Sequence, residues 1–194
     1  MANPKKILIE VSNRHAHLSK EHLNALFGEN YNLTINKSLS QPNQYSTNEK
    51  ITLIHQDRKI ENVRVLGPPR ESSQVEISRT DAFHLKIPAP LKLSGDLEES
   101  PGIILKGPIG EIKLEKGVII SHRHLHASED EARELGIQHN QTVVLKVPGL
   151  KETIFCKVLV RVHPEHRLSF HIDCDDGNAC FFQDGVYAEI IELN

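Results

Sequence analysis

Val11-Ser12-Asn13-Arg14-His15-Ala16-His17-Leu18-Ser19 returns later in the chain as Ile120-Ser121-His122-Arg123-His124-Leu125-His126-Ala127-Ser128. In both copies an apolar run leads into Arg-His-x-His. A serine then follows, and after it a segment with helical potential. Residues 11–28 align with 120–137 without a gap, keeping Ser, Arg, both His, the second Ser and a helix Leu. A repeat with so long a period is a domain duplication rather than a solenoid. On an extended segment positions i and i+2 share a face. Each copy therefore offers two imidazoles side by side, which is half of a zinc shell.

Working outward, Ile7–Val11 reads as a buried strand. Ser19 caps a helix over Lys20–Phe27 that Gly28 ends. Ser128-Glu129-Asp130-Glu131 is a capping box that opens a second helix, stopping near Gly136. The stretch 31–48 is polar and reads mostly as loop with one short strand. Ile51–His55 and Ile60–Leu66 form a hairpin. Gly67-Pro68-Pro69-Arg70 reads as a rigid loop, Gln74–Ile77 as a half-buried strand and Thr80–Leu85 as one helical turn or two. Ile87–Leu93, with Pro88 and Pro90, is an edge strand or extended connection. Short strands follow at 102–105, 111–114, 117–120, 142–147, 153–162, 168–172 and 186–191, with Asn178-Ala179 near a turn. Many short strands between Gly and Pro turns, with two short helices, predict a mainly β protein. Together with the duplication they predict two small β-barrel domains with short capping helices and a cleft between them, where ligands bind.

Bulk properties narrow the function. The chain has 194 residues, enough for a real core, and a net charge of −3 that exerts no general pull on nucleic acid or membrane. It lacks Trp, so base-stacking platforms are not expected. Cys156, Cys174 and Cys180 make an odd count without C-x-x-C spacing, which fits a reducing cytoplasm. No apolar run approaches the roughly 20 residues of a membrane helix. Met1-Ala-Asn-Pro-Lys-Lys leads straight into a strand, so no signal peptide or targeting helix is expected. Twelve histidines are many for this length and point to metal chemistry.

Candidates to complete the two histidine pairs are polar positions between apolar neighbours. Glu76 in Gln74-Val75-Glu76-Ile77 is one, and His171 in Phe170-His171-Ile172 is another. Arg70, after Gly-Pro-Pro, holds a guanidinium suited to bidentate contact with phosphate. Asp173-Cys174-Asp175-Asp176 reads as an acidic loop rather than a metal cluster. No Ser-His or Cys-His arrangement supplies a nucleophile, and Cys174 has no base partner.

Val11-Ser-Asn-Arg-His-Ala-His-Leu-Ser, Ser40-Gln-Pro, Val63-Arg-Val-Leu-Gly-Pro-Pro-Arg70, Gln74-Val-Glu-Ile-Ser, Ser94-Gly-Asp, Ser100-Pro-Gly, Arg123-His-Leu-His and His171-Ile-Asp occur in this order over nearly the whole chain. Together they resemble the PduL-type phosphate acyltransferases (phosphotransacylases). The resemblance implies interconversion of acyl-CoA plus phosphate with acyl phosphate plus coenzyme A, the acyl group being acetyl or propanoyl. It implies two Zn2+ per chain, one on His15, His17 and Glu76, the other on His124, His126 and His171. It implies Arg70 as the catalytic phosphate-gripping residue, with Gln74 and Arg161 assisting. Coenzyme A would run along Ser12, Asn13 and Arg14, near Arg64 and Asn178. The implied domains are 14–121, and 1–13 plus 122–194, with the first strand completing the C-terminal barrel. Members that enter microcompartments carry a helical N-terminal extension, which is not seen here. The implied setting is a cytoplasmic enzyme of small-molecule substrates, without nucleic-acid or membrane partners and with a homodimer left open.

Two other readings share the histidine pairs. A binuclear metallohydrolase also uses His-x-His at a strand end, but usually on a TIM barrel of about 250 residues with regular βα repeats. A non-catalytic metal-binding barrel would bind a partner instead. Structural zinc sites usually close with Cys, and none lies beside these histidines.

Overall fold

In the computed structural model, which describes residues 6–193, the apolar run at the start forms β1 (Ile7–Ser12). The chain breaks at Asn13-Arg14 and resumes as a separate strand, β2 (His15–Ser19). The first histidine pair thus sits on its own strand, not on an extension of the preceding one. After it come α1 (Lys20–Phe27), β3 (Ile35–Ser38), β4 (Tyr45–His55), β5 (Arg58–Arg70), β6 (Gln74–Glu76), α2 (Arg79–Leu85), β7 (Leu91–Lys92), β8 (Ile103–Lys106) and β9 (Glu111–Leu114). The second half holds β10 (Val118–Ser121), β11 (His124–Ala127), α3 (Glu129–Leu135), β12 (Thr142–Val147), β13 (Thr153–Val162), β14 (Ser169–Asp173), α4 (Cys174–Ala179) and β15 (Tyr187–Leu193). The N-terminal leader reading falls largely on residues 1–5, which with 194 lie outside the described residues.

The chain divides into two compact units. One is Asn13–Ser121, and the other joins the segment ending at Ser12 to the chain from His122 onward. In the latter, the strands close into a barrel of order β1-β14-β11-β13-β12-β15, and β15 returns to β1 through Ile7↔Ala188 and Leu8↔Tyr187. Its core gathers Ile7, Ile9, Leu125, Val143, Leu145, Val158, Val160 and Phe170. In the other unit a nine-stranded sheet of order β7-β10-β6-β2-β5-β4-β8-β9, with β3 on β4, curls into a half-barrel. Leu18, Leu23, Leu26, Leu53, Val65 and Leu85 are in its core. The protein is mainly β.

The duplication extends to topology. The run β10-β6-β2-β5-β4-β8 repeats the order β1-β14-β11-β13-β12-β15, with every parallel or antiparallel pairing in the same sense. The strand leading into each motif serves the other motif's unit. β1 pairs with β14 beside β11, and β10 pairs with β6 beside β2.

Local chemistry sets the helix ends. Ser19 Oγ accepts from His22 N at α1, and Gly28 ends that helix. Ser128 and Glu131 form a full capping box on α3, which ends at Gly136. Four helices are present among the described residues; α2 covers the helical turns expected at Thr80–Leu85, and α4 is the one the pattern does not suggest. α2 has its own capping box from Ser78 and Asp81. α4 replaces the acidic loop and the turn at Asn178-Ala179. Asp173 is its N-cap and accepts from Asp176 N at 2.9 Å. Gly177 lies against Val11, whose methyls would stand 3.1 Å from an added Cβ.

The loop expected at Gly67–Arg70 is instead the end of β5. Pro68 and Pro69 lack the N–H that a ladder needs, so pairing with β2 slips from His17↔Leu66 to Ser19↔Arg70. Gly67 lies under the Tyr45 ring, where a Cβ would be 2.3 Å from a ring carbon. β4 begins at Tyr45, well before the apolar run, because its buried polar residues are hydrogen-bonded. Thr47 Oγ1 donates to Val65 O at 2.7 Å, and Glu49 accepts from Tyr31 Oη at 3.0 Å and Thr34 N at 3.1 Å. No described helix is long and apolar enough to cross a membrane.

Candidate metal and phosphate sites

β2 runs between β5 and β6 and sets His15 opposite Glu76 and His17 opposite Gln74. β11 runs between β13 and β14 and sets His124 opposite His171 and His126 opposite Ser169. Glu76 and His171 therefore occupy the same place in the two copies. In each copy the donor atoms of the three residues lie within 4.8 Å of one another: His15, His17 and Glu76 in one unit, His124, His126 and His171 in the other. Five of the six are buried, and His171 is half-buried.

The first histidine of each motif is oriented the same way. His15 Nδ1 lies 2.8 Å from Asn13 O, and His124 Nδ1 lies 2.8 Å from His122 O. A carbonyl at Nδ1 fixes the Nδ1–H tautomer and leaves the Nε2 lone pair for a ligand. His15 Nε2 is 3.7 Å from Glu76 Oε1, and His124 Nε2 is 3.0 Å from His126 Nε2. Clustered, desolvated donors of this kind fit a divalent cation of the zinc type.

Electrostatics separate the two triads. Burial disfavours the His15 cation, but the Glu76 carboxylate outweighs it and raises the His15 pKa. Burial likewise opposes charge on Glu76, yet His15 brings its pKa well below the usual carboxylate value. His17 is held well below the ordinary histidine value by burial, then by His15 and Arg70. His126 is driven down by burial, then by His124, His171, His166 and Arg161, so its imidazole is neutral as a ligand requires. His171 Nε2 contacts Glu10 Oε2 at 2.8 Å and Ser169 Oγ at 2.9 Å.

A polar chain connects Arg70 to the Glu76 triad. Arg70 Nη1 donates to Ser94 Oγ at 3.1 Å, and Ser94 Oγ donates to Glu76 Oε1 at 2.8 Å. Gln74 Nε2 donates to Glu76 Oε1 at 2.5 Å and to Ser94 Oγ at 2.9 Å, and its own Oε1 accepts from Gly95 N at 2.8 Å. Arg70 also lines an open depression with Lys20, His22, Lys113 and Lys116. Arg161 sits opposite His126 on β13.

The candidate coenzyme A residues have other partners as well. Arg14 forms a two-point ion pair with Asp81, at 2.9 and 2.7 Å. Arg64, opposite His15, donates to Thr47 O. Ser12 O accepts from Cys174 Sγ at 3.6 Å, Asn13 is exposed, and Asn178 is exposed on α4. Sequence pattern gives no role to Ser94, Glu10 or His166. Glu10 carries a weak signal as a polar residue in an apolar strand, while Ser94 and His166 arrive from loops.

Residues 8–183 match the family model described as phosphate propanoyltransferase. The chain is similar to the phosphate propanoyltransferase of Thermotoga maritima, 48% identical over 188 residues that cover 96% of this chain and 90% of that protein. It is also similar to the proteins of that name from Clostridioides difficile, 42% identical over 96% of this chain and 89% of that one, and Leptotrichia buccalis, 41% identical over 94% and 87%. A match of this length to the family model, with relatives this similar over nearly their whole length, means that the chain belongs to the phosphate propanoyltransferase family and is an acyltransferase.

Proposed function

We propose that this enzyme interconverts acyl-CoA plus phosphate with acyl phosphate plus CoA, for acetyl or propanoyl groups. The observation that carries the reading is the hydrogen-bonded line from Arg70 through Ser94 to the Glu76 triad. It joins the Arg70 guanidinium to a cluster of residues that could hold a metal ion, which supports the reading. Support comes also from the names of the relatives.

In the forward direction a phosphate oxygen attacks the thioester carbonyl carbon. The C–S bond breaks, a C–O–P linkage forms, and the sulfur departs as thiolate. Arg70 orients the phosphate by charge-assisted hydrogen bonds, with Gln74 and Arg161 assisting. His15, His17 and Glu76 would hold one Zn2+, and His124, His126 and His171 a second. Bound there, the ions supply charge to stabilise the carbonyl oxyanion and the leaving thiolate. Coenzyme A is assigned to Ser12, Asn13, Arg14, Arg64 and Asn178, of which Arg14 must share its guanidinium with Asp81. Transfer is direct, without an acyl-enzyme; trapping one would disprove this part.

We read the two compact units as domains over 14–121 and 1–13 plus 122–194, in a cytoplasmic enzyme whose assembly as a homodimer is testable by light scattering.

One assay tests the whole reading. Purified protein is mixed with acetyl-CoA or propanoyl-CoA and a thiol reagent, with and without phosphate, before and after chelation. Phosphate-dependent thiol release that chelation abolishes and zinc restores is expected. Release without phosphate would make the protein a metallohydrolase, and no release with either thioester would leave the acyl transfer unsupported.

A further inference from the structure

The two copies hold their first histidines alike and their second histidines differently. His15 and His124 each find a backbone carbonyl two residues upstream, so that support is built into the motif. Among the described residues no such carbonyl serves the second histidines. His17 Nδ1 is buried and has no hydrogen-bond partner among the described residues. His126 Nδ1 instead lies 3.1 Å from His166 Nδ1, and the two rings meet edge to face with centroids 4.2 Å apart.

His166 is delivered by a tight turn between β13 and β14. His166 N donates to His163 O at 2.9 Å, closing a four-residue turn with Pro164 at its second position. The same His166 Nδ1 lies 3.1 Å from Arg161 O. A ring nitrogen either carries a proton or offers a lone pair, so His166 Nδ1 can donate to Arg161 O or accept from His126, not both.

We propose that His166 is a positioning residue for the second triad: it accepts a hydrogen bond from His126 Nδ1–H and so presents the His126 Nε2 lone pair to a divalent cation. This rests on reading His124, His126 and His171 as a metal site. A cation on Nε2 requires the His126 proton at Nδ1. His166 Nδ1 must then be a lone pair, its proton lies on Nε2, and its contact with Arg161 O ceases to be a hydrogen bond. Removing the cation frees His166 Nδ1 to carry a proton toward Arg161 O. An outer partner of this kind typically changes metal affinity by about 10–100-fold.

The test uses the full chain and zinc, titrated in competition with a chromophoric chelator. Wild type is expected to bind two ions, one of them lost in His124→Ala. His166→Phe keeps a ring in place but removes the acceptor. It should weaken the ion that His124→Ala abolishes by about 10–100-fold and leave the other unchanged. His166→Asn restores a carbonyl acceptor and should recover much of that loss. Equal affinity in wild type and His166→Phe would reduce His166 to a packing role and overturn the inference. A His124→Ala protein that binds as much zinc as wild type would overturn the metal reading itself. Long-range 15N–1H spectra of zinc-loaded wild type give a check independent of any variant. Protons on His126 Nδ1 and His166 Nε2 are expected, and a proton on His166 Nδ1 would refute the proposal.

Discussion

The two copies of the fold share strand order and strand sense, yet one closes and the other stays open. In the barrel, β15 pairs with β12 on one side and β1 on the other. Its counterpart β8 pairs with β4, but its second edge is taken by β9, while β10 is covered by β7. Two short added strands occupy the edges that would otherwise meet. Closure is thus decided at the rim, by what competes for two free edges, not by the motif-bearing strands. The donor sets diverge in the same restrained way. One position on equivalent strands is Glu76 in one copy and His171 in the other, and the geometry around it is kept.

Activity breaks this comparison most directly. His15→Ala and His124→Ala should each cut phosphate-dependent CoA release by at least about 10²–10³-fold, the scale of losing one charge-stabilising group. Circular dichroism should show the fold retained. Near-wild-type turnover in either variant would remove that copy from the chemistry. Next in size is Arg70→Ala. Losing a charged hydrogen bond costs about 1.5–3 kcal/mol, so the KM for phosphate should rise about 10–100-fold while that for acyl-CoA stays constant. A rise in both would contradict the role in phosphate binding.

The motif arginines sharpen the comparison in stability. Arg14 grips Asp81 through two atoms, and Asp81 is nearly buried and caps α2. Arg123 reaches the equivalent Asp176 at 3.2 Å with both groups partly exposed. Burial raises the Asp176 pKa despite the opposing pull of Arg123. Asp81→Ala is expected to cost about 2 kcal/mol, combining a lost cap with a broken, half-screened pair. Asp176→Ala should cost less than about 1 kcal/mol. Denaturant unfolding that ranks them the other way would show the two pairs to be unequal in the opposite sense.

Another modest effect concerns acid. Glu49 lies on buried β4, whereas the equivalent β12 buries Val143, Val144, Leu145 and Val147. Burial alone would raise the Glu49 pKa, but the hydrogen bonds it accepts depress it. A depressed carboxylate stabilises the fold above its unfolded pKa, and that contribution is lost as pH falls through the lower folded value. Glu49→Gln should cost about 1 kcal/mol at neutral pH. It should also flatten the acid side of the stability profile of the open-sheet unit. An unchanged acid limb would remove Glu49 as its cause.

What the sequence makes legible follows from how local each signal is. Ser19, Gly28, Ser128 and Glu131 act within a few residues, and the helices they bound are found where the pattern puts them. Glu76 and His171 stand out as polar positions between apolar ones. The strand through Pro68 and Pro69 is not legible, because its ladder survives only by a slip against β2. Polar β4 looks like loop until Tyr31, Thr34 and Val65 are known to satisfy its buried groups. α4 hides behind Gly177, a poor helix former that is there to let Val11 approach. Ser94 enters only as part of Ser94-Gly-Asp, without a role, and His166 not at all, since each reaches its triad from a loop whose course is set by distant pairings.

The exchange of leading strands has a consequence for synthesis. β2 and β10 both belong to the continuous stretch Asn13–Ser121, which holds all the strands of its sheet once that stretch has been made. β1 has no such fortune. Its partners, β14 and β15, are the last strands of the chain. At ordinary elongation rates of about 5–20 residues per second, β1 waits roughly 10–30 s for them. Until then Ile7 and Ile9, both buried in the finished barrel, lack the strands that cover them. The barrel is therefore the later of the two units to be completed.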